Sequence, residues 1–436
     1  MAKTPIDQLV VPVSKFIHQE FTGGIVLFIS VFVAIFWANS PWQDSYHHIW
    51  ETKLSIGFGK NKLDQPLHVW INDGLMAVFF FVIGLELKRE FIAGELSSLQ
   101  KASLPMVGAL GGMLFPALIY ILFNYGKDSA SGWGIPMATD IAFSLALLSM
   151  AGNGMPTGVK VFLSALAVAD DLGAVLVIAF FYTREIQFYP LFVAGGLLLL
   201  LLLGNGLGIR HTLFYLIIGL GVWGGFLFSG VHATIAGVLV AFTIPARTKI
   251  NEHEYIGKLK KLTNHFEGAI PQYGSLTTTE QLRTIEHIKN ISMDAETPLQ
   301  KIEYALHPWV AFLIMPLFAL SNSGMPIGSD FFGLLWNPIS LGVIAGLVLG
   351  KFIGIMLFAW IMVKFRLAAI PSNANWYHIA GVATLAGVGF TMSLFITSLA
   401  FENAEQINQA KYGILLASVF AGAVGVYVLR HARRIL

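Results

Sequence analysis

Residues 161–182, VFLSALAVADDLGAVLVIAFFY, form an apolar stretch whose only charges are two adjacent aspartates near its middle. These 22 residues are enough to cross a hydrocarbon core about 30 Å thick as one helix. A carboxylate at the centre of such a helix costs roughly 2.5–3.5 kcal/mol on insertion scales, so Asp170 and Asp171 together cost very roughly 5–7 kcal/mol. Ionisable residues inside a membrane mark ion pathways, which predicts that the pair belongs to a functional site.

The composition excludes a soluble protein and predicts an all-α polytopic membrane protein. The 436 residues are 56% hydrophobic and 12% charged. That charged fraction is about half of the roughly 25% that is typical of soluble domains. The absence of cysteine excludes disulfides and thiolate metal sites. The net charge of +2 carries little information about partners, and no nucleic-acid partner is predicted.

The hydropathy pattern predicts about twelve membrane-spanning helices. An even number places both termini on one side, and with cytoplasmic termini 20 Lys and Arg lie on inner segments against 6 on outer ones. Without the eight in the loop 246–305 the ratio is still 12 to 6, so the positive-inside rule predicts cytoplasmic termini. The predicted spans are 23–39, 70–86, 104–124, 133–150, 159–182, 190–207, 212–228, 231–245, 307–323, 338–362, 378–400 and 411–430.

These spans divide the chain into four parts. They are a cytoplasmic N-terminal segment (1–22), spans one to eight (23–245), an extended cytoplasmic loop (246–305), and spans nine to twelve with a cytoplasmic C-terminus (306–436).

Two segments outside the spans have patterns of their own. Residues 54–69, LSIGFGKNKLDQPLHV, alternate apolar and polar around a Gly-Lys-Asn-Lys turn, which predicts an exposed β-hairpin. In the loop 246–305, Thr277 and Glu280 have the spacing of a capping box ahead of a helical apolar pattern. The loop is therefore predicted to form one or two amphipathic helices.

Four ionisable residues lie deep within predicted spans, and they do not balance in charge. Three acids against one base leave an excess of negative charge, which in a low-dielectric site requires a cation or protons. A hard cation such as Na⁺ prefers oxygen ligands, which carboxylates supply. The alternative is that all four are parts of buried ion pairs that fix helix packing. The four residues are Asp140, Asp170, Asp171 and Lys351.

The fourth and eleventh spans contain residues that interrupt helices. Gly134 and Pro136 precede Asp140, and the eleventh span is rich in glycine. Each is the middle span of a triplet, and interrupted helices at matching places in two halves indicate a transport site. Where broken helices cross, an acid such as Asp140 offsets positive N-termini, and a base such as Lys351 offsets negative C-termini. The alternative is that these glycines serve ordinary close helix packing.

Several separated stretches resemble the signature segments of the NhaA-type sodium/proton antiporters. The resemblance covers essentially the whole chain except the loop around 250–300. It implies twelve helices with inverted-topology repeats at spans 3–5 and 10–12 and with discontinuous spans 4 and 11, an arrangement already known for this family. The stretches are GIPMATDIAF (134–143), ALAVADDLGA (165–174), SGVHAT (229–234), LGKFIGI (349–355), GVGFTMSLFI (387–396), WINDGLMAVFF with GLELKRE (70–90), and LHPWVAF (306–312).

The resemblance implies a secondary transporter rather than an enzyme. Such a transporter of the bacterial inner membrane exchanges cytoplasmic Na⁺ and Li⁺ for external H⁺ without a cofactor, for sodium and pH homeostasis. It implies Asp171 as the main ion-binding carboxylate, with Asp170 beside it and within reach of Lys351. Asp140 belongs to the same site, and its neighbour Thr139 is able to add a hydroxyl or backbone oxygen to it, with helix capping as the alternative role of this threonine. Two protons released per Na⁺ make the exchange electrogenic, and the absence of a GxxxxGK[ST] loop argues against nucleotide coupling.

Two further implications of the resemblance concern regulation and assembly. A charged set at the predicted cytoplasmic span ends corresponds to the family's pH-sensing cluster, although interfacial charges that snorkel need no function. Tyr304 stands where the family's best-known pattern has a histidine, which puts this pH response in doubt. The β-hairpin implies a homodimer joined on the periplasmic face. The cluster consists of Glu86, Arg89, Glu90, Glu303 and His307.

Three other classes of membrane protein also place acids within their spans. A passive cation channel would not need a buried lysine that competes for a carboxylate. An intramembrane aspartyl protease needs two facing catalytic aspartates, and the GxGD pattern typical of it is absent. A proton-coupled carrier of an organic substrate differs from a sodium antiporter only in a substrate screen.

Overall fold

Long apolar helices make up most of the structure, a computed structural model that describes residues 20–58, 61–152, 154–183, 186–269, 277–328 and 333–433. By length and composition, eight of the described helices are able to cross a membrane, and up to eleven if each of three bent helix pairs is one span. The helices are α1 (Glu20–Ala38), α2 (Gln43–Glu51), α3 (Leu67–Ala93), α4 (Leu99–Asn124), α5 (Ile141–Met150), α6 (Thr157–Phe181), α7 (Phe188–Gly206), α8 (Thr212–Ser229), α9 (Thr234–Thr243), α10 (Glu252–Gly268), α11 (Thr279–Ala295), α12 (Pro298–Asn322), α13 (Pro338–Lys364), α14 (Trp376–Leu385), α15 (Phe390–Ala400) and α16 (Ala404–Ala432).

The all-α membrane class is confirmed, while the count of twelve spans stays a prediction. The apolar helix α9 has only ten residues, fewer than the about 20 that a full crossing needs. The helix that contains most of the predicted ninth span, 307–323, begins earlier than that span, at Pro298 of α12. Thr297 caps it by accepting a 3.1 Å hydrogen bond from the Gln300 N–H, and a proline suits the first helical position.

Both spans that were predicted to be discontinuous are interrupted. A 3₁₀ segment, Asp128–Met137, meets α5 at an angle of 45°, and α14 meets α15 at 43°. The breaks lie at residues 138–140 and 386–389, and they approach each other closely. A methyl group at Gly389 would lie 2.8 Å from the carbonyl oxygen of Ala138, so the close approach depends on the missing side chain.

Aromatic side chains fill the space between the broken helix α15 and two long helices. Phe395 of α15 packs against Phe80 of α3 with ring centroids 5.5 Å apart, and against Phe318 of α12 at 6.2 Å. All three rings are buried and belong to the largest apolar cluster of the described chain. The cluster holds the second break against α3 and α12.

Glycines bring α13 close to α4 beside the breaks. Gly346, Gly350 and Gly354 of α13 all face backbone atoms of α4, as small residues do at close helix contacts in membranes. A methyl group at Gly350 would lie 2.7 Å from the Cα atom of Pro116 in α4. Lys351 follows directly, so this contact sets the position from which its side chain starts.

Three of the helices contain a π turn, in which one extra residue is accommodated. The π turns are Trp70–Leu75 in α3, Val310–Ile314 in α12 and Gly346–Gly350 in α13.

The predicted β-hairpin is present between α2 and α3. Strands β1 (Lys53–Phe58) and β2 (Asn61–Pro66) pair in antiparallel fashion, with Lys53 opposite Pro66. The Trp70 indole N–H donates to the Leu54 carbonyl at 3.0 Å and so attaches the hairpin to α3. Its predicted end at 69 is wrong, because residues 67–69 are helical, and residues 59–60 of the turn lie outside the described part.

The long loop, predicted to form one or two amphipathic helices, contains two, α10 and α11. They contact each other through Tyr255 and Ser292, whose hydroxyls are 3.1 Å apart. The predicted capping pair Thr277 and Glu280 is wrong by one residue. Thr278 and Gln281 form the capping box instead, with reciprocal hydrogen bonds of 3.1 and 3.0 Å.

Candidate functional site

Two serine hydrogen bonds join the two broken spans, one donated by each span to the other. Ser144, one turn into α5, donates a 3.0 Å hydrogen bond to the carbonyl of Leu385 at the end of α14. Ser393, one turn into α15, donates one of 2.8 Å to the carbonyl of Ile135, near the end of the 3₁₀ segment. Carbonyl groups at helix ends lack partners within their own helix. Each broken span therefore satisfies the backbone of the other.

Asp140 lies in the first break and contacts the N-termini of both following helices. Its Oδ1 accepts a 3.0 Å hydrogen bond from the Phe143 N–H, which makes it the N-cap of α5. Its Oδ2 accepts hydrogen bonds from the backbone N–H of Thr391, at 3.1 Å, and from the Thr391 hydroxyl. Its own N–H donates to the Val388 carbonyl at 2.7 Å. The carboxylate thus lies where the sequence predicts an acid, at the positive ends of two helices.

Asp170 forms a fully buried ion pair with Lys351 of α13. The Lys351 Nζ lies 2.6 Å from Asp170 Oδ2, and both side chains are 0% exposed. Thr139 Oγ1 is also 2.6 Å from Asp170 Oδ2 and is 2.9 Å from the carbonyl of Ala386 in the second break. The structure therefore brings together four elements that sequence reasoning could associate only by resemblance: α6, α13 and the two breaks.

Asp171 differs from the other two aspartates in its contacts. It is buried, and neither of its carboxylate oxygens has a partner among the described residues; Asp170 Oδ1 has none either. Adjacent positions on α6 are about 100° apart, which is why the lysine that pairs with Asp170 does not pair with Asp171. A buried carboxylate without a partner is costly unless it binds a proton or a cation. The arrangement can therefore take up either one.

The predicted pH-sensing residues lie near the C-terminus of α3 and the N-terminus of α12. Arg89 forms an ion pair with Glu303, which is 4% exposed, and lies 3.4 Å from Glu90. Glu86 is close enough to this group to interact with it electrostatically. His307 lies one turn beyond Glu303 on α12. The Arg89–Glu303 pair thus joins α3 to α12.

Sequence reasoning missed the buried hydroxyls of the crossing, which are Thr391, Ser144 and Ser393. A signal was present, because each helix that follows a break carries a serine in its fourth position. Hydroxyls in apolar helices are also able to bond to their own backbone, so the pattern alone did not identify their partners.

The sequence is similar to known proteins along almost its whole length. A family model described as Na⁺/H⁺ antiporter 1 matches residues 14–429. A protein named Na(+)/H(+) antiporter NhaA from Oleidesulfovibrio alaskensis is 46% identical over 430 residues, which cover 98% of this chain and 96% of the relative. Another from Acidithiobacillus ferrooxidans is 47% identical over 426 residues, with 97% and 98% covered. The chain therefore belongs to the NhaA family of Na⁺/H⁺ antiporters, which are multi-pass inner-membrane transporters and not enzymes.

Proposed function

We propose that this chain exchanges cytoplasmic Na⁺, and also Li⁺, for external H⁺ at a site formed by Asp170 and Asp171. The observation that carries the proposal is the pair of buried Asp171 oxygens that have no partner among the described residues. They lie beside a carboxylate that is already balanced by Lys351. The family to which the chain belongs supports the choice of Na⁺ and H⁺ as the transported ions.

Exchange follows from competition between a cation and protons for the same oxygens. Protons neutralise Asp170 and Asp171 in one state. In the other state Na⁺ held by their oxygens, together with the Lys351 ammonium group, balances the two negative charges. Thr139 adds a hydroxyl oxygen next to Asp170. Release of two protons for each Na⁺ makes the exchange electrogenic. Each net charge moved is then driven by about 2.3 kcal/mol per 100 mV of membrane potential.

The proposed architecture has twelve spans, with both termini in the cytoplasm and inverted repeats at spans 3–5 and 10–12. Two observations support the repeats. The two middle spans are bent by nearly the same angle, 45° and 43°. Each also donates one serine hydroxyl to a carbonyl of the other, as a pseudo-two-fold axis through the crossing requires.

Regulation and assembly belong to the same proposal. The Arg89–Glu303 pair connects α3 with α12, so titration of the acids around it can change how these helices pack. We assign pH regulation to this cluster, with Glu86, Glu90 and His307 as its other members.

The hairpin offers exposed apolar residues, Leu54 and Ile56, as a contact for a second copy of the chain.

The experiment is the Na⁺-driven collapse of a pH gradient in everted membrane vesicles between pH 6 and 9, with Li⁺ and K⁺ in parallel. Asp171→Asn removes one negative charge at nearly constant shape, and Asp294→Asn does the same at a partly exposed ion pair on α11. We expect a response to Na⁺ and Li⁺ that Asp171→Asn abolishes and Asp294→Asn leaves intact. Equal activity of the two variants would mean that the paired aspartates are structural.

A further inference from the structure

We propose that Thr391 is a positioning residue for the exchange reaction. It fixes Asp140, and through Asp140 the position of Thr139 beside Asp170. The inference rests on the proposed function, since it concerns the affinity of that same site.

The contacts of Thr391 form a closed link between the two breaks. Its hydroxyl and its N–H both donate to Asp140 Oδ2, and the N–H of Asp140 donates to Val388, three residues before Thr391. The second break thereby binds Asp140 of the first break through both the main chain and the side chain of this aspartate. Both Asp140 and Thr391 are buried.

These contacts separate the role of Asp140 from that of Asp171. Both oxygens of Asp140 accept hydrogen bonds from the protein, whereas those of Asp171 have no partner among the described residues. Donors of the protein therefore already occupy the Asp140 carboxylate. We assign it to joining the broken helices, and the cation to the carboxylates of α6.

The link reaches the ion site through one peptide bond. Thr139 precedes Asp140, and its hydroxyl is 2.6 Å from Asp170 Oδ2. A displacement of Asp140 moves Thr139, and with it a polar contact of the carboxylate that Lys351 balances. Misplacing a binding group by a fraction of an ångström weakens a site that depends on fixed geometry.

The chain offers a matched set of substitutions on one helix. Thr391→Val keeps the shape but removes the hydroxyl donor, and Thr391→Ser keeps the donor. Thr397 lies on the same helix and is equally buried, but its hydroxyl donates to the Ser393 carbonyl of its own helix at 2.7 Å. Thr397→Val therefore removes a buried hydroxyl of α15 without touching the link.

The test is the Na⁺ concentration that gives half-maximal exchange in everted vesicles at fixed pH. We expect Thr391→Val to raise it about tenfold, equivalent to about 1.4 kcal/mol, with the maximal rate within about twofold of native. Thr391→Ser and Thr397→Val stay close to the native value. A merely structural role would lower the amount of active protein without changing this concentration. Equal behaviour of Thr391→Val and Thr397→Val, or a failure of serine to restore affinity, overturns the proposal.

Two controls keep the result interpretable. If Thr391→Val fails to fold, Asp140→Asn and the double variant Asp140→Asn/Thr391→Ser are measured instead. Asp140→Asn then has to raise the half-maximal Na⁺ concentration more than Thr397→Val does. The double variant has to differ from Asp140→Asn in this concentration by less than about twofold. Amide hydrogen exchange at Phe143 reports the link without transport, and we expect it to be faster in Thr391→Val alone. Native protein that exchanges no Na⁺ would overturn the proposed function. An unchanged Phe143 amide would overturn the link itself.

Discussion

Replacement of Lys351 by methionine tests how much the buried ion pair contributes to the stability of the transporter. The substitution keeps an unbranched apolar side chain that ends one atom short of the ammonium nitrogen, and it leaves Asp170 without the cation that lies 2.6 Å away in the native protein. Breaking a buried pair by removing one partner costs about 3–5 kcal/mol, because the remaining charge is left uncompensated. Thr139 still offers a hydroxyl to the same oxygen, so we expect the lower end, about 3 kcal/mol.

The measurement is thermal unfolding of the purified protein in detergent, compared among native, Lys351→Met and the double variant Lys351→Met/Asp170→Asn. The single variant should melt well below native. The double variant should recover much of the loss, since it leaves no uncompensated charge buried at this place. If the single variant melts with the native protein, or if the double variant is no more stable than the single one, the pair does not carry the stability assigned to it.

Two further predictions concern packing and capping. Gly350→Ala would place a methyl group 2.7 Å from Pro116 Cα, so we expect it to separate α13 from α4 and lower the melting temperature. Gly224→Ala has open space around the new methyl group and should not lower the melting temperature. Equal melting temperatures of the two variants would contradict the close contact at Gly350. Thr278→Ala should destabilise the first turn of α11 by about 1 kcal/mol, measured by amide exchange. Thr277→Ala should leave this turn unchanged. If Thr277→Ala destabilised it and Thr278→Ala did not, the capping box predicted from the sequence, Thr277 with Glu280, would be the correct one.

The membrane class and the approximate spans could be predicted because a bilayer restricts what a spanning segment can be. A run of about 20 apolar residues matches the thickness of the hydrocarbon core, and few soluble helices are apolar on every side over that length. The boundaries were less predictable where a local cap decided them. Thr297 starts α12 nine residues before the predicted span, since the first turns of that helix are too polar for a hydropathy pattern to include.

The site was predictable in its charges but not in its connections. Asp170 and Lys351 stood out because ions in apolar helices are rare, but only the family resemblance implied that they form a pair. Thr391 did not stand out, because a threonine in an apolar helix is common and its partner, Asp140, is 251 residues away in the chain. Hydrogen-bond partners between distant segments depend on how helices cross, and no local pattern records that.

The π turn at Gly346–Gly350 has a consequence for the direction in which Lys351 points. A turn that closes five residues back instead of four holds one additional residue, which shifts the angular phase of everything after it by about 100°. The lysine is the first residue beyond this turn. Its alignment with Asp170 therefore depends on the number of residues in this turn. Shortening the turn by one residue would rotate the ammonium group onto a different side of α13. A heptad or helical-wheel drawing made across residue 346 assigns the wrong face to every residue that follows.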